Sequence, residues 1–196
     1  MRILNLYSGI GGNRKLWGDE HQITAVEYDQ EIADVYKTLF PNDKVIVTDA
    51  HEYLLNHYKE YDFIWSSPPC PTHSDIRRCG VHAGQYPALY PDMTLYQEII
   101  LLKHFNKCSY VIENVKPYYK PLIEPTQKLH RHYIWSDLDI PKKDFIDTRK
   151  HSNITGESIV YGFNLNSFNI KNKRKILRNL VNPELGEYVL NRLFKK

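Results

Sequence analysis

The stretch Ile3-Leu4-Asn5-Leu6-Tyr7-Ser8-Gly9-Ile10-Gly11-Gly12 decides the fold. Residues 3–7 read as a short strand that breaks into a glycine-rich turn. Glycines placed there let the backbone turn tightly and come close to a ligand. Working outward, residues 22–26, 45–47, 63–66 and 110–113 also read as strands, several ending in Gly, Pro, Asp or Asn. Residues 30–39, 50–58 and 93–105 read as helices, the last with Leu95, Ile99, Leu102 and Phe105 near helical spacing. Alternating strand and helix predicts an α/β fold, a mostly parallel sheet with helices on both faces. Binding residues in such sheets lie just past the C-terminal ends of the strands. Residues 71–91, with glycines at 80 and 84, prolines at 71, 87 and 91, and little periodicity, read as a long functional loop. Residues 141–169 are polar and weakly periodic, and residues 180–194 close the chain with a helix that has Pro183 near its start.

Composition sets the frame for these elements. The 196 residues are 25% charged, 42% hydrophobic and 13% aromatic, which suits one folded unit over 1–196 and excludes a disordered chain. No run approaches the ~18 apolar residues that a membrane span needs. The N-terminus, Met1-Arg2-Ile3, runs straight into the first strand, so no signal peptide is expected. Cys70, Cys79 and Cys108 fit no zinc or disulfide spacing, which points to a reducing, cytoplasmic compartment. The net charge of +3 is uneven: residues 171–196 carry eight Lys/Arg against Glu184 and Glu187. That segment suits a polyanionic partner, although a solvated helix face would look the same.

Each strand end then offers a chemical group. Glu27 stands 18 residues beyond Gly9, near the spacing at which an acid grips a ribose hydroxyl pair, and Asp49 follows the third strand. The alternative is a pair of acids capping the following helices. Tyr7 and Tyr28 offer aromatic faces to a nucleoside base. The fourth strand runs into Ser66-Ser67-Pro68-Pro69-Cys70-Pro71-Thr72-His73-Ser74. Prolines fix the backbone around Cys70 and hold its thiol at the sheet edge, as a covalent nucleophile requires. Cys79 and Cys108 are expected to be buried and structural. The fifth strand ends in Val111-Ile112-Glu113-Asn114-Val115, where an acid after an apolar run is a candidate for a raised pKa. The other reading of Glu113 is a helix cap or a loop ion pair.

Taken in order, these motifs resemble the cytosine-5 DNA methyltransferases, and the resemblance spans nearly the whole chain. It implies a Rossmann-like class I fold that binds S-adenosyl-L-methionine (AdoMet). The glycine loop is similar to the family's AdoMet loop (Tyr7, Gly9, Gly11, Gly12), with Asn5 and Tyr7 where Asp and Phe are usual. Glu27-Tyr28 resembles the pair that holds the ribose and stacks on the adenine, and Asp49-Ala50 the segment that reads the adenine edge. The resemblance adds Pro69, Leu95 and, more loosely, Asn179 to the cofactor site. It makes Cys70 the nucleophile on C6 of a flipped cytosine, Glu113 the donor at N3, and Arg131 a cation on the cytosine carbonyl, a role that His130 and His132 either share or leave to it by simply packing. The loop over 71–91 would close on duplex DNA, with Ser74, Arg77 and Arg78 at its backbone.

Two departures matter. Lys128-Leu129-His130-Arg131-His132-Tyr133 replaces the usual Gln-x-Arg-x-Arg pattern. Only about 45 residues separate it from the final segment, too few for a separate recognition domain with its own core. Residues 141–169 then form a reduced recognition element, or the target context is short, or a partner protein supplies specificity. Such a small size resembles phage or mobile-element enzymes. The rival readings are an RNA (tRNA) cytosine-5 methyltransferase on the same fold and a non-catalytic methyltransferase-like subunit. The latter would be expected to lack Cys70 or Glu113.

Overall fold

A computed structural model describes residues 1–129, 131–146 and 154–194. Their strands are β1 (Arg2–Leu6), β2 (Gln22–Glu27), β3 (Lys44–Val47), β4 (Phe63–Ser66), β5 (Ser109–Val115), β6 (Gln127–Leu129) and β7 (His132–Ser136). They form one sheet in the order β3-β2-β1-β4-β5-β7-β6. The first five strands are parallel, and β7 runs antiparallel to both β5 and β6. This is the doubly wound, Rossmann-like arrangement. The chain winds one way from β1 to β2 and β3, then crosses back to place β4 on the other side of β1. The crevice outside the ends of β1 and β4 is therefore the switch point where ligands bind in such sheets.

Strand alternation explains the two layers. Leu4, Leu6, Ile64, Tyr110 and Ile112 face one side, with Leu54 of α2 (Ala50–His57) and with Leu95, Ile99 and Leu102 of α4 (Thr94–His104). Ile3, Phe63, Trp65 and Val111 face the other, against Trp17 and against Leu185 and Val189 of α6 (Pro183–Leu190). Being apolar on both faces, residues 63–65 of β4 and 110–112 of β5 read as unbroken hydrophobic runs, as central parallel strands do. Strand-end acids start the helices. Asp29 accepts the N–H groups of Glu31 and Ile32 to open α1 (Gln30–Leu39), and Asp49 accepts that of Glu52 to open α2.

Three expectations need correction. Residues 71–91 are not all loop: α3 (Asp75–His82) lies inside them. It spans about two turns and buries only Gly80, and the prolines and glycines around it read as turn signals. The closing segment is not one helix over 180–194. Asn182 caps α6, a 3-10 turn (Asn191–Phe194) follows it, and α5 (Lys173–Asn179) precedes it. Finally, Cys79 is exposed on α3 rather than buried, while Cys108 is half-buried.

Part of the 141–169 segment, residues 147–153, lies outside the described residues, as does His130. Ile154, Val160, Phe163 and Leu165 are buried with Ile10, Val35 of α1 and Leu177 of α5. This stretch thus packs on the sheet's own helix layer. Lys15 fastens it by donating to the Tyr161 carbonyl at 2.6 Å. Among the described residues no helix is long and apolar enough to cross a membrane.

Candidate active site

The glycine loop leaves β1 through Tyr7 and Gly9, both at φ +54°. Space is open where a Gly9 side chain would stand, and Ser8 Oγ is buried with no hydrogen-bond partner among the described residues. Gly11 packs against Tyr36 and Phe40, and Gly12 lets the Val181 carbonyl come within 2.6 Å of where a Cβ would sit. That close approach seats the C-terminal segment on the loop. Asn5 and Asn13 exchange side-chain amide bonds, the shorter at 2.7 Å, and pin the far end of the turn.

Glu27, at the end of β2, accepts the Gly9 N–H at 2.9 Å through Oε2 and the Asp29 N–H at 3.1 Å through Oε1. Its carboxylate thus stands at the mouth of the glycine loop. Tyr28 beside it is 77% exposed, so its ring is free to stack. Asp49 is exposed and does cap α2, so for that residue the capping reading holds as well. Ala50 and Leu95 are buried, Asn179 is exposed at the end of α5, and Pro69 is exposed beside Cys70. An open glycine cradle, an orphaned serine hydroxyl, a strand-end carboxylate and an exposed aromatic face are a donor set that fits a nucleoside bearing a ribose diol.

The Pro-Cys loop is held by its neighbour strand. Pro68 and Pro69 have no N–H to give, so the loop cannot tie itself down by donating there. Instead Asn114 Nδ2 donates to the Pro68 carbonyl at 2.9 Å, while Asn114 Oδ1 accepts the Val115 N–H. The Cys70 carbonyl accepts the N–H groups of His73 and Ser74, both at 3.0 Å. Glu113 is 5% exposed and accepts from Ser67 Oγ at 2.9 Å, with Trp65 Nε1 donating to the same hydroxyl at 2.9 Å. Its other oxygen lies 3.1 Å from Nδ1 of His132, itself 4% exposed. Register brings this about: Ser66 of β4 pairs with Ile112 of β5, so the residues after each fall side by side.

Burial pushes the Cys70 thiol up, and the Glu113 carboxylate raises it further. The positive charges of Arg131 and Lys175 pull the other way. Arg131 sits in the β6–β7 turn, where its guanidinium donates to the Arg178 carbonyl at 3.2 Å. The turn and α5 therefore meet, and the positive charge of each is felt at the cysteine. Arg77 stacks on Tyr86, and Arg78 pairs with Asp75 at 3.0 Å and lies over Tyr118. Next to them a cavity of about 240 Å³ is lined by Thr72, Ser74, Arg77, Arg78 and Tyr118.

On sequence alone Ser67 and Lys175 have no site role of their own, the buried Glu98 goes unremarked, and His132 enters only as a companion to Arg131. For Glu98 a signal existed. It lies three residues after Leu95 and four before Leu102, on the apolar face of α4, where a charge is unexpected.

Several solved structures are similar in part. A DNMT2 mutant of Spodoptera frugiperda is 25% identical, with a TM-score of 0.41, over 59% of this chain and 35% of that one. The EhMeth methyltransferase of Entamoeba histolytica is 16% identical with a TM-score of 0.38, and covers 59% of this chain and 38% of its own. A SAM-dependent methyltransferase of Agrobacterium tumefaciens is 11% identical, with a TM-score of 0.41, over 61% of this chain and 40% of that one. The chain thus spans well under half the length of each. A comparison with curated proteins returned no match. The strand order and the parallel pairing described above make the fold Rossmann-like, as expected for a class I methyltransferase. The sequence profile of the C-5 cytosine-specific DNA methylases matches residues 1–132. That range is more than half of the chain and holds the glycine loop, Glu27, Cys70 and Glu113, so the chain belongs to the C-5 cytosine-specific DNA methylase family.

Proposed function

We propose that the protein is a DNA (cytosine-5)-methyltransferase that works through a covalent Cys70 adduct and uses AdoMet. The observation that carries this reading is the lock between the Pro-Cys loop and the Glu-Asn-Val strand. Asn114 holds the Pro68 carbonyl, and the same strand presents Glu113 between Ser67 and His132. A nucleophile and an acid fixed to adjacent strands can act on two atoms of one ring without reorganising.

Residues 1–196 act as one catalytic domain. Glu27 takes the ribose hydroxyls, Tyr28 stacks on the adenine, and the Gly9 to Gly12 backbone lies along the rest of the cofactor, with Tyr7, Asp49, Ala50, Pro69, Leu95 and Asn179 around it. When bound, AdoMet supplies the methyl group. A cytosine flipped from the duplex enters between Cys70 and Glu113. The Cys70 thiolate forms a bond to C6, and the ring electrons move toward N3, where Glu113, having taken up a proton with the cytosine in place, donates it to the developing charge. Arg131 sits at the carbonyl. C5, now nucleophilic, accepts the methyl group. Loss of the C5 proton to solvent restores the double bond and expels Cys70 as thiolate.

Ser74, Arg77 and Arg78 face one side of the DNA backbone, and α5 with Lys173, Arg174 and Lys175 faces it from the other. Phosphate contacts of this kind weaken steeply as salt rises. Residues 141–169 serve as a reduced recognition element, and a partner protein supplies any specificity beyond a short context.

Glu27→Ala is expected to fold and to bind AdoMet at least tenfold more weakly, since a hydrogen bond to a charged acceptor is worth about 1.5–3 kcal/mol. Calorimetry on the purified variant checks this, and an unchanged affinity removes Glu27 from the site. The reading as a whole is tested by sequencing 5-methylcytosine in DNA from cells that express the protein. Methylation at a short recurring context is expected. Methylated tRNA with unmodified DNA would move the substrate to RNA.

A further inference from the structure

Glu98 and two of its partners, Ser66 and His51, have no part in the proposed chemistry. Glu98 lies on α4 with no exposed surface. Its Oε2 accepts from Ser66 Oγ at 2.6 Å, and its Oε1 accepts from the Tyr7 hydroxyl at 2.7 Å and lies 3.2 Å from His51 Nδ1. A carboxylate taken fully out of water is costly unless donors and a counter-charge meet it, so three partners on one side chain mark an arrangement that the fold holds together. The partners come from three separate elements. Tyr7 leads into Ser8-Gly9, Ser66 leads into the Pro-Cys loop, and His51 follows Asp49-Ala50 in the first turn of α2. Tyr7 also stands at φ +54°, a conformation that a non-glycine residue keeps only when its surroundings enforce it. Its bond to Glu98 is such a restraint.

We infer that Glu98 is the positioning residue of the cofactor site, a buried carboxylate that sets the glycine loop, the end of β4 and the start of α2 in one mutual arrangement. The inference rests on the AdoMet reading of that site and extends it to a residue outside the set that touches the cofactor. The groups facing His51 are Glu98 from α4, Asp49 at the head of α2 and Asp92 ahead of α4. Their bonds and charges outweigh burial and raise the imidazole above its ordinary value of 6.5. A raised histidine stabilises the fold fully below its unfolded pKa, and that contribution fades as pH rises through the higher folded value. Neutral His51 would leave Glu98 without a counter-charge.

The test is AdoMet binding by calorimetry across pH, with melting of the cofactor-free protein beside it. Wild-type affinity is expected to fall several-fold from about pH 6 to about pH 9, and cofactor-free melting to fall with it. Glu98→Gln places an amide where a hydroxyl or His51 expects an acceptor. It should bind AdoMet at least tenfold more weakly at the lower pH and lose the wild-type slope, with kcat at saturating AdoMet within threefold of wild type. Glu98→Asp should recover part of the affinity. Should Glu98→Gln fail to fold, Tyr7→Phe removes one of the contacts and is expected to weaken AdoMet several-fold. Unchanged affinity and slope in the folded Glu98→Gln protein, or in Tyr7→Phe if it alone folds, would overturn the inference and leave the cofactor reading standing. A wild type that binds no AdoMet at any pH would remove both.

Discussion

DNA carrying 5-fluorocytosine is expected to trap the protein in an adduct that survives denaturing electrophoresis. Fluorine stands where the C5 proton must leave, so once the methyl group has been accepted the Cys70–C6 bond has no route to elimination. The trap should need AdoMet and vanish in Cys70→Ser, while Cys79→Ser and Cys108→Ser still form it. The structure sharpens the contrast among the three thiols: Cys79 is exposed on α3, Cys108 is half-buried beside Asn106, and Cys70 alone stands at a strand end next to Glu113. Methyl transfer by Cys70→Ser should fall below detection. An adduct formed by Cys70→Ser but lost in Cys79→Ser would name a different nucleophile. No adduct with any cytosine-containing substrate would favour a methyltransferase-like subunit without catalysis.

Glu113→Gln is expected to lower methyl transfer by about 10²–10³, because an amide can still donate a hydrogen bond at N3 but cannot give up a proton to the developing charge. The same substitution should act in the opposite direction on the free thiol. Cys70 is held up by burial first and by the Glu113 carboxylate second, with Arg131 and Lys175 opposing them. The thiolate fraction of a raised thiol grows only as pH climbs toward its folded pKa, so iodoacetamide should modify Cys70 slowly near neutral pH and faster as pH rises. Removing the carboxylate charge lowers that pKa, so Glu113→Gln should shift the alkylation profile of Cys70 to lower pH while turnover collapses. Mass spectrometry of the labelled peptide and initial rates on one preparation measure both effects. Parallel losses in alkylation and turnover would mean that the variant had disturbed the loop rather than the acid.

Features local to the chain were legible before any coordinates. The glycine loop, the proline-framed cysteine and the Glu-Asn-Val run are consecutive residues, and their chemistry follows from backbone freedom, missing N–H groups and an acid at an apolar strand end. The parallel sheet followed from alternating apolar runs and helical spacing. What failed did so for a common reason. Asp75–His82 and Lys173–Asn179 are about two turns long and bury one residue each, too short for a repeating pattern to stand out from the turns around them. Cys79 falls on the exposed surface of the first of them.

The sequence by itself therefore determined the order of the strands' chemical groups and which residue could be the nucleophile, because both depend on neighbours along the chain. Only the tertiary structure decided what each group meets. Glu113 acquires Ser67 and His132 through the pairing of β4 with β5 and of β5 with β7. Glu98 acquires Tyr7, Ser66 and His51 because α4 packs on the face to which Ser66 turns, although these partners lie 91, 32 and 47 residues away along the chain. Burial and charge, which set how a carboxylate or a thiol behaves, come from groups brought together across the sheet, and no spacing in the sequence records those distances.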